Sequence, residues 1–343
     1  MPARVLLLRR HGLFGGATGS GKSGGVNVLM GNLTACADVV IWAVDLKRGM
    51  ELGPWAACVD RLATAPAEAR VLLADAVAIL EARAAFLASA GKRVWEPSPD
   101  MPALVIIIDE YAELVESAPE ATDDADSIAR RGRAVAVTLI AATQRPTQKA
   151  MGQGALRSQM DVRICFRVRE RKDVDLVLGQ GMLTAGWQAH KLNAPGKFLI
   201  SAPEHDTPRR ARAYLLTDEA VSATASRHAD LRPELDDVSR QALEDRADQH
   251  LSAPSQARGP ADEDEDEDDR DDQEDAGRGP ETLLWAALRH APEQGVPVAD
   301  LVAATGMSHR WVNYRLRALA ATGQAVQIKR GIWRGANREG DAQ

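Results

Sequence analysis

Short, almost wholly apolar runs recur through the first part of the chain: Val5–Leu8, Val39–Val44, Leu104–Ile108, Val135–Ala141, Ile164–Val168 and Lys197–Ile200. Runs of this length without a polar face predict strands buried on both sides. Ala-rich helical stretches separate several of them, notably Ala67–Ala90 and Ser127–Arg133. Strands alternating with helices predict an α/β fold over residues 1–216, with a mostly parallel sheet covered on both faces. The pattern then fades. Residues 217–280 are polar, with scattered Pro and Gly, and read as a flexible linker. Periodicity returns over 281–335 and predicts a small second domain, followed by a disordered tail at 336–343.

Charge changes this picture in one place. The 343 residues carry a net charge of -7, but residues 261–280 alone hold twelve carboxylates and two arginines. The rest of the chain is therefore mildly basic. The unbroken acidic run Asp262–Asp269 would repel itself in any compact state, which supports the linker assignment. An acidic average says nothing against a nucleic-acid partner. The cysteines Cys36, Cys58 and Cys165 are scattered without a CxxC, so neither a disulfide scaffold nor a zinc cluster organises the fold. No run of about 18 apolar residues occurs and no signal peptide is recognisable, so a cytoplasmic chain without a transmembrane segment is expected.

The candidate chemistry starts at Gly16-Ala17-Thr18-Gly19-Ser20-Gly21-Lys22-Ser23. This is a complete GxxxxGK[ST] phosphate-binding loop, preceded by strand-like Leu13–Gly15 and followed by an apolar helix. Its glycines allow backbone N–H groups to surround phosphate oxygens. Lys22 would reach the β and γ phosphates of ATP, and Ser23 would coordinate Mg²⁺. Leu104–Ile108 then ends in Asp109 and Glu110. Asp109 would hold Mg²⁺ and Glu110 would polarise the attacking water. Leu139–Ala142 ends in Thr143 and Gln144, either of which could sense the γ-phosphate. Arg130, Arg131, Arg133, Arg157 and Arg163 lie before the third and fourth of these strands. A structural role for each and an arginine acting across a subunit interface are both open readings. Asp45-Leu46-Lys47-Arg48-Gly49 ends the second strand on the same functional edge and could couple nucleotide state to a partner.

Taken together, these segments resemble the motor domain of the FtsK/SpoIIIE family of DNA translocases. The matching stretches are GGATGSGKSGGVNVLM at 15–30, DLKRGMEL at 45–52, LVIIIDEYAEL at 104–114, ATQRPT at 142–147, LRSQMDVRICFRV at 156–168, LVLGQGML at 176–183 and PGKFLI at 195–200. They cover roughly residues 11–216 and are closest to actinobacterial versions. The resemblance implies a RecA-like P-loop ATPase that works as a homo-hexamer and pumps double-stranded DNA. It implies Lys22 and Ser23 as phosphate and Mg²⁺ ligands, Asp109 and Glu110 as the acidic pair, and Gln144 as the family's glutamine. Arg163 matches an arginine that would act in trans. Family members usually carry a membrane region and a further domain upstream of the motor. A membrane-anchored partner or a missing N-terminal region is therefore expected.

The second domain reads as a winged helix-turn-helix. Leu283, Leu284, Trp285 and Leu288 mark one helix, and Val298, Leu301 and Val302 a second. Ser308 can cap a third helix with Val312, Leu316 and Leu319 on its inner face. Ala325–Lys329 and Gly331–Arg334 form a two-stranded wing. Residues 281–343 hold eight Lys or Arg against five acidic residues. Arg310, Asn313 and Arg317 are candidates for base contacts, and Lys329 and Arg330 for phosphate contacts. An ATP-driven DNA translocase in chromosome segregation or conjugative transfer is the leading reading. A secretion motor that moves proteins and a nucleotide-switched transcription regulator are the alternatives.

Overall fold

The computed structural model describes residues 4–144, 146, 156–252, 280–292, 294–305, 307, 312, 315–316, 319–320, 324–329 and 331–336. The chain divides into two compact units, Met1–Gln256 and Ala257–Gln343.

The first unit is built on one eight-stranded sheet. The chain begins with β1 (His11–Gly15), α1 (Lys22–Leu33), β2 (Val39–Val44) and β3 (Arg61–Ala63). Next come the long α2 (Pro66–Ser89), β4 (Ala103–Ile108), α3 (Tyr111–Ser117), α4 (Ala121–Arg131) and β5 (Val137–Thr143). A short α5 (Leu156–Gln159) leads into β6 (Met160–Phe166) and α6 (Asp173–Leu178). The strands β7 (Lys197–Ser201) and β8 (Arg209–Arg212) complete the sheet, and α7 (Asp218–His228) and α8 (Asp237–Ser252) follow.

The strand order is β3-β2-β4-β5-β1-β6-β7-β8. Pairing is parallel from β3 to β6 and antiparallel at β7 and β8. The apolar runs explain the layering. Along β4, Leu104, Ile106 and Ile108 enter one core with α2, α3 and α4, while Val105 and Ile107 enter another with α1 and α7. A strand buried on both faces needs apolar residues at every position, and β4 has them.

Two expectations are corrected. Val5–Leu8 is not a strand; the first strand starts at His11. Val5 and Leu7 pack against the core, but Leu6 and Leu8 are more than half exposed. The residues assigned to a linker from 217 onward instead start with two helices. Thr217 caps α7 by accepting the Ala220 N–H at 3.2 Å, and Val221 and Ala225 are buried. The α8 helix packs along α2. A sparse apolar stripe suffices there because a buried ion pair, Arg83–Asp236, anchors the start of α8. The acidic run lies outside the described residues.

The second unit contains α9 (Pro280–Arg289), β9 (Val296–Pro297), α10 (Val298–Thr305), β10 (Ala325–Lys329) and β11 (Ile332–Gly335). Its three strands pair antiparallel in the order β10-β11-β9. Leu284, Leu288, Val298, Leu301, Val312, Leu316 and Trp333 form its core. The two expected wing strands are present. Ser308 and much of the expected third helix lie outside the described residues. Among the described residues, no helix is long and apolar enough to cross a membrane.

Candidate nucleotide site

The parallel register brings the C-terminal ends of four strands to one edge. Val44 pairs with Ile108, Ile108 with Ala141, and Gly15 with Thr143. The next residues are therefore neighbours: Asp45, Asp109, Gln144 and the loop that starts at Gly16. This is the crevice in which open α/β sheets bind ligands.

The Gly16–Ser23 loop is fixed from both sides. Gly16 N–H donates to the Thr143 carbonyl at 3.1 Å, and Ala17 N–H to the Arg167 carbonyl at 2.8 Å. The loop then turns into α1 at Gly21, whose φ is +92°. A side chain there would be strained and would also meet the Gly196 nitrogen at 2.2 Å. The first N–H groups of α1 have no acceptor inside the helix and face the loop, which suits an anion. Ser20 Oγ is buried and has no hydrogen-bond partner among the described residues.

Lys22 is almost fully buried. Its ammonium donates to the carbonyl and to Oδ1 of Asp109, both at 2.9 Å. Lys47 donates to the other carboxylate oxygen, Oδ2, at 3.1 Å. Burial pushes the Asp109 carboxyl up, but Lys22 and then Lys47 outweigh it and hold the group below the usual carboxylate range. Burial pulls Lys47 down, and the Asp109 charge more than restores it, so its ammonium is held above the ordinary range. The loop that carries Lys47 is shaped by Asp45. This fully buried carboxylate accepts the N–H groups of Lys47, Glu51 and Leu52 at 3.1, 2.8 and 2.9 Å.

Glu110 is held beside this pair. It accepts from the Thr143 hydroxyl at 2.7 Å and from the Gln144 N–H at 2.9 Å. The Gln144 side chain in turn accepts from the Thr18 hydroxyl at 2.8 Å. A continuous chain of contacts thus joins the phosphate loop to Gln144 and Glu110.

The arrangement brings together Gly16, Ala17, Thr18, Gly19, Ser20, Gly21, Lys22, Ser23, Asp109, Glu110 and Gln144. Arg163 sits on β6, where its guanidinium donates to the Met160 and Arg157 carbonyls at 3.0 and 2.8 Å. Burial and then Arg157 lower its pKa. Arg157 donates to the Asp175 carbonyl at 2.9 Å. In the second unit, Lys329 is exposed on β10. Arg310, Asn313, Arg317 and Arg330 lie outside the described residues. Cys58 and Cys165 are buried, and burial raises both thiols.

Sequence reasoning missed the contact of Lys47 with Asp109. A signal existed: Asp45 and Asp109 end adjacent parallel strands, and Lys47 follows Asp45 by two residues. The hold of Thr143 on Glu110 was also missed.

Residues 1–101 match the model of the FtsK/SpoIIIE family. The DNA translocase SftA of Bacillus subtilis (strain 168) is 30% identical over 233 residues, which cover 63% of this chain and 24% of that protein. Protein Tra of Streptomyces lividans is 30% identical over 239 residues, covering 63% of this chain and 38% of that protein. The chain thus spans between about a quarter and two-fifths of these relatives. Among solved structures, the cytoplasmic domain of the Thermomonospora curvata type VII secretion ATPase EccC is 26% identical, with a TM-score of 0.54 over 67% of this chain and 29% of that one. The pCW3 conjugation coupling protein TcpA, in a form with ATPγS, is 21% identical with a TM-score of 0.53, over 69% of this chain and 65% of that one. That likeness shows a shared fold. The sheet order and the phosphate loop are those of a RecA-like P-loop fold.

Proposed function

We propose that this chain is an FtsK/SpoIIIE-type motor that hydrolyses ATP with Mg²⁺ and drives double-stranded DNA. The observation that carries the reading is the buried Lys22–Asp109 pair at the mouth of the phosphate loop, with Glu110 aimed beside it by Thr143 and Gln144. The donor set fits the nucleotide. The loop leaves no room for a side chain at Gly21, and Ser20 Oγ is buried without a hydrogen-bond partner among the described residues.

In this reading the loop amides and Lys22 bind the phosphates, and Ser23 and Asp109 hold the metal. Mg²⁺ held by Ser23 and Asp109 would neutralise charge developing on the phosphate oxygens. Glu110 orients the attacking water and takes its proton. Two donors fix that carboxylate, so its position is set before substrate arrives. Gln144, bridged to Thr18, reports phosphate occupancy to Glu110. Arg163 and Arg157 stand ready to act on a neighbouring subunit of a homo-hexamer. The second unit is a winged helix that contacts duplex DNA through Lys329 and the residues predicted around it. The motor works in the cytoplasm, with membrane attachment supplied by a partner. The DNA translocase and conjugation relatives support segregation or conjugative transfer as its setting.

A second reading, a motor that moves proteins, is favoured by the likeness to EccC. Stimulation of turnover by long duplex DNA separates the two.

The test is a pair of substitutions. Lys22→Ala should abolish nucleotide binding. Glu110→Gln should keep binding and lower turnover by about a hundredfold or more. Wild-type turnover from Glu110→Gln would remove Glu110 from its role, and wild-type binding by Lys22→Ala would remove the nucleotide site.

A further inference from the structure

A cleft of about 560 Å³ opens between β8 and residues 188–193, at the far edge of the sheet. Lys191, Lys197, Arg210 and Arg212 line it, and no carboxylate does. Lys197 and Arg212 are direct partners on adjacent strands, and Arg210 lies two positions before Arg212 on the same face. Among the described residues, none of the four forms an ion pair. The Lys197 ammonium donates to the Asn193 side-chain oxygen at 2.8 Å.

Like charges directly opposite each other on neighbouring strands destabilise a sheet. Stability of the fold therefore does not explain this cluster. Four cations around one cleft with no carboxylate in its lining are the chemistry that receives a polyanion. The positive field extends to His190, whose imidazole is held below its ordinary range by burial, then by Arg171 and Lys191. Arg210 and Arg212 project from positions about 7 Å apart along the strand. One strand of B-DNA presents a phosphate every ~3.4 Å of axis, so two such cations are spaced like phosphates about two steps apart along one strand.

The cleft is also wired to the nucleotide site. Gly196, immediately before Lys197, donates its N–H to the Ser20 carbonyl of the phosphate loop at 2.8 Å. The Gly196 carbonyl accepts from Ala213 N–H, immediately after Arg212, at 2.9 Å. Two backbone hydrogen bonds therefore connect Lys197 and Arg212 to the loop that would hold phosphate.

We propose that the Lys191–Lys197–Arg210–Arg212 cleft grips the phosphate backbone of duplex DNA, and that Gly196 passes its occupancy to the phosphate loop. The proposal rests on the DNA-motor reading above.

The experiment uses the full chain. Affinity for a long random duplex is measured by anisotropy across several salt concentrations, together with ATP turnover with and without that duplex. A Lys197→Ala/Arg212→Ala variant should lower the slope of log affinity against log salt by about 2, since each lost phosphate contact removes ~0.9. Stimulation by duplex should be lost while turnover without DNA stays at the wild-type level. Lys197→Arg should behave as wild type. Gly196→Ala should keep the salt slope and lose most of the stimulation; full stimulation would overturn the coupling. A double variant with the wild-type slope and stimulation would overturn the cleft as a DNA site. So would displacement of polyglutamate, rather than duplex, by the double substitution, which would assign the cleft to an acidic protein. A wild-type chain that hydrolyses ATP but never responds to duplex would instead overturn the DNA-motor reading, before any variant is made.

Discussion

The two ends of the parallel sheet both bury charge, and they do it differently. At the N-terminal ends of β4 and β5, Arg83 is fully buried and every arm of its guanidinium is occupied. It donates to Ser239 Oγ at 2.9 Å, to the Val135 carbonyl at 3.1 Å, to the Pro102 carbonyl at 2.9 Å and to Asp236 at 2.6 Å. It also lies 4.3 Å from the centre of the Trp95 ring. At the C-terminal ends, Asp109 has two ammonium groups on one carboxylate, and Ser20 Oγ has no partner among the described residues. Two of the four acceptors in the first network are backbone carbonyls, and the cation they hold is fully buried. The second rests on two lysine ammonium groups, and one of them, Lys47, is a third exposed. Burial of charge is thus structural where the contacts are fixed and functional where they can be replaced.

Breaking the closed end gives the largest effect. Arg83→Met leaves the Asp236 carboxylate buried without its cation and removes the tie between α2 and α8. A loss of about 3–5 kcal/mol is expected, read as a lower urea midpoint. Adding Asp236→Asn should recover part of it, because no charge then remains buried. A loss below about 1 kcal/mol would show that the network only decorates the core.

A second test at the same end uses pH. His11 starts β1, is fully buried, and accepts the Leu139 N–H on Nδ1 at 2.9 Å. Burial, then the nearby Arg133, push its imidazole down to about 4, against a smaller pull from the Ala129 carbonyl. The unfolded chain therefore binds the proton near pH 6.5 while the folded chain does not. This contribution is fully present above pH 6.5 and is lost as pH falls from there through 4. Its size is about 3 kcal/mol over that window. His11→Gln should flatten the dependence of unfolding free energy on pH between 7 and 4.5, compared with wild type. Parallel curves for the two proteins would show that His11 takes no part.

The contrast between the ends also explains what was legible in the sequence. The functional end could be read because its residues follow apolar runs: Asp109 and Glu110 after Leu104–Ile108, Gln144 after Leu139–Ala142. A parallel sheet gathers such positions at one edge, so the linear pattern carries the spatial one. The closed end was invisible. Arg83 looks like any polar residue in an Ala-rich helix, and its partners Asp236 and Ser239 lie more than 150 residues later in a stretch with few apolar positions. That stretch therefore read as linker, although α7 and α8 belong to the folded unit. The strands β3 and β8 were missed for a related reason. They are edge strands, three and four residues long, and β8 is three-quarters arginine. An edge strand needs only one apolar face, and such short ones leave no periodicity to detect. Lys47 is the intermediate case, since its loop was singled out but its partner was not.

The smallest expected effect falls on that lysine, and it asks whether a partner at the open end can be replaced. Lys47 and a divalent ion would compete for Asp109 Oδ2, which Lys47 holds at 3.1 Å. Removing the competitor by Lys47→Ala should therefore lower the Mg²⁺ concentration needed for half-maximal binding of a fluorescent ATP analogue. An ion pair with one partially exposed partner is worth about 0.5–1 kcal/mol, so the shift should be about two- to fivefold. Binding of the analogue without Mg²⁺ should change little, because Lys22 and the loop amides, not Lys47, are the groups assigned to the phosphates. Hydrogen exchange gives a second readout. The Asp45 carboxylate pins residues 47, 51 and 52 through their N–H groups. Release of Lys47 should therefore leave the amides of Glu51 and Leu52 protected. A higher Mg²⁺ requirement in Lys47→Ala would reverse the argument, making Lys47 a phosphate ligand beside Lys22 rather than a placeholder on the carboxylate.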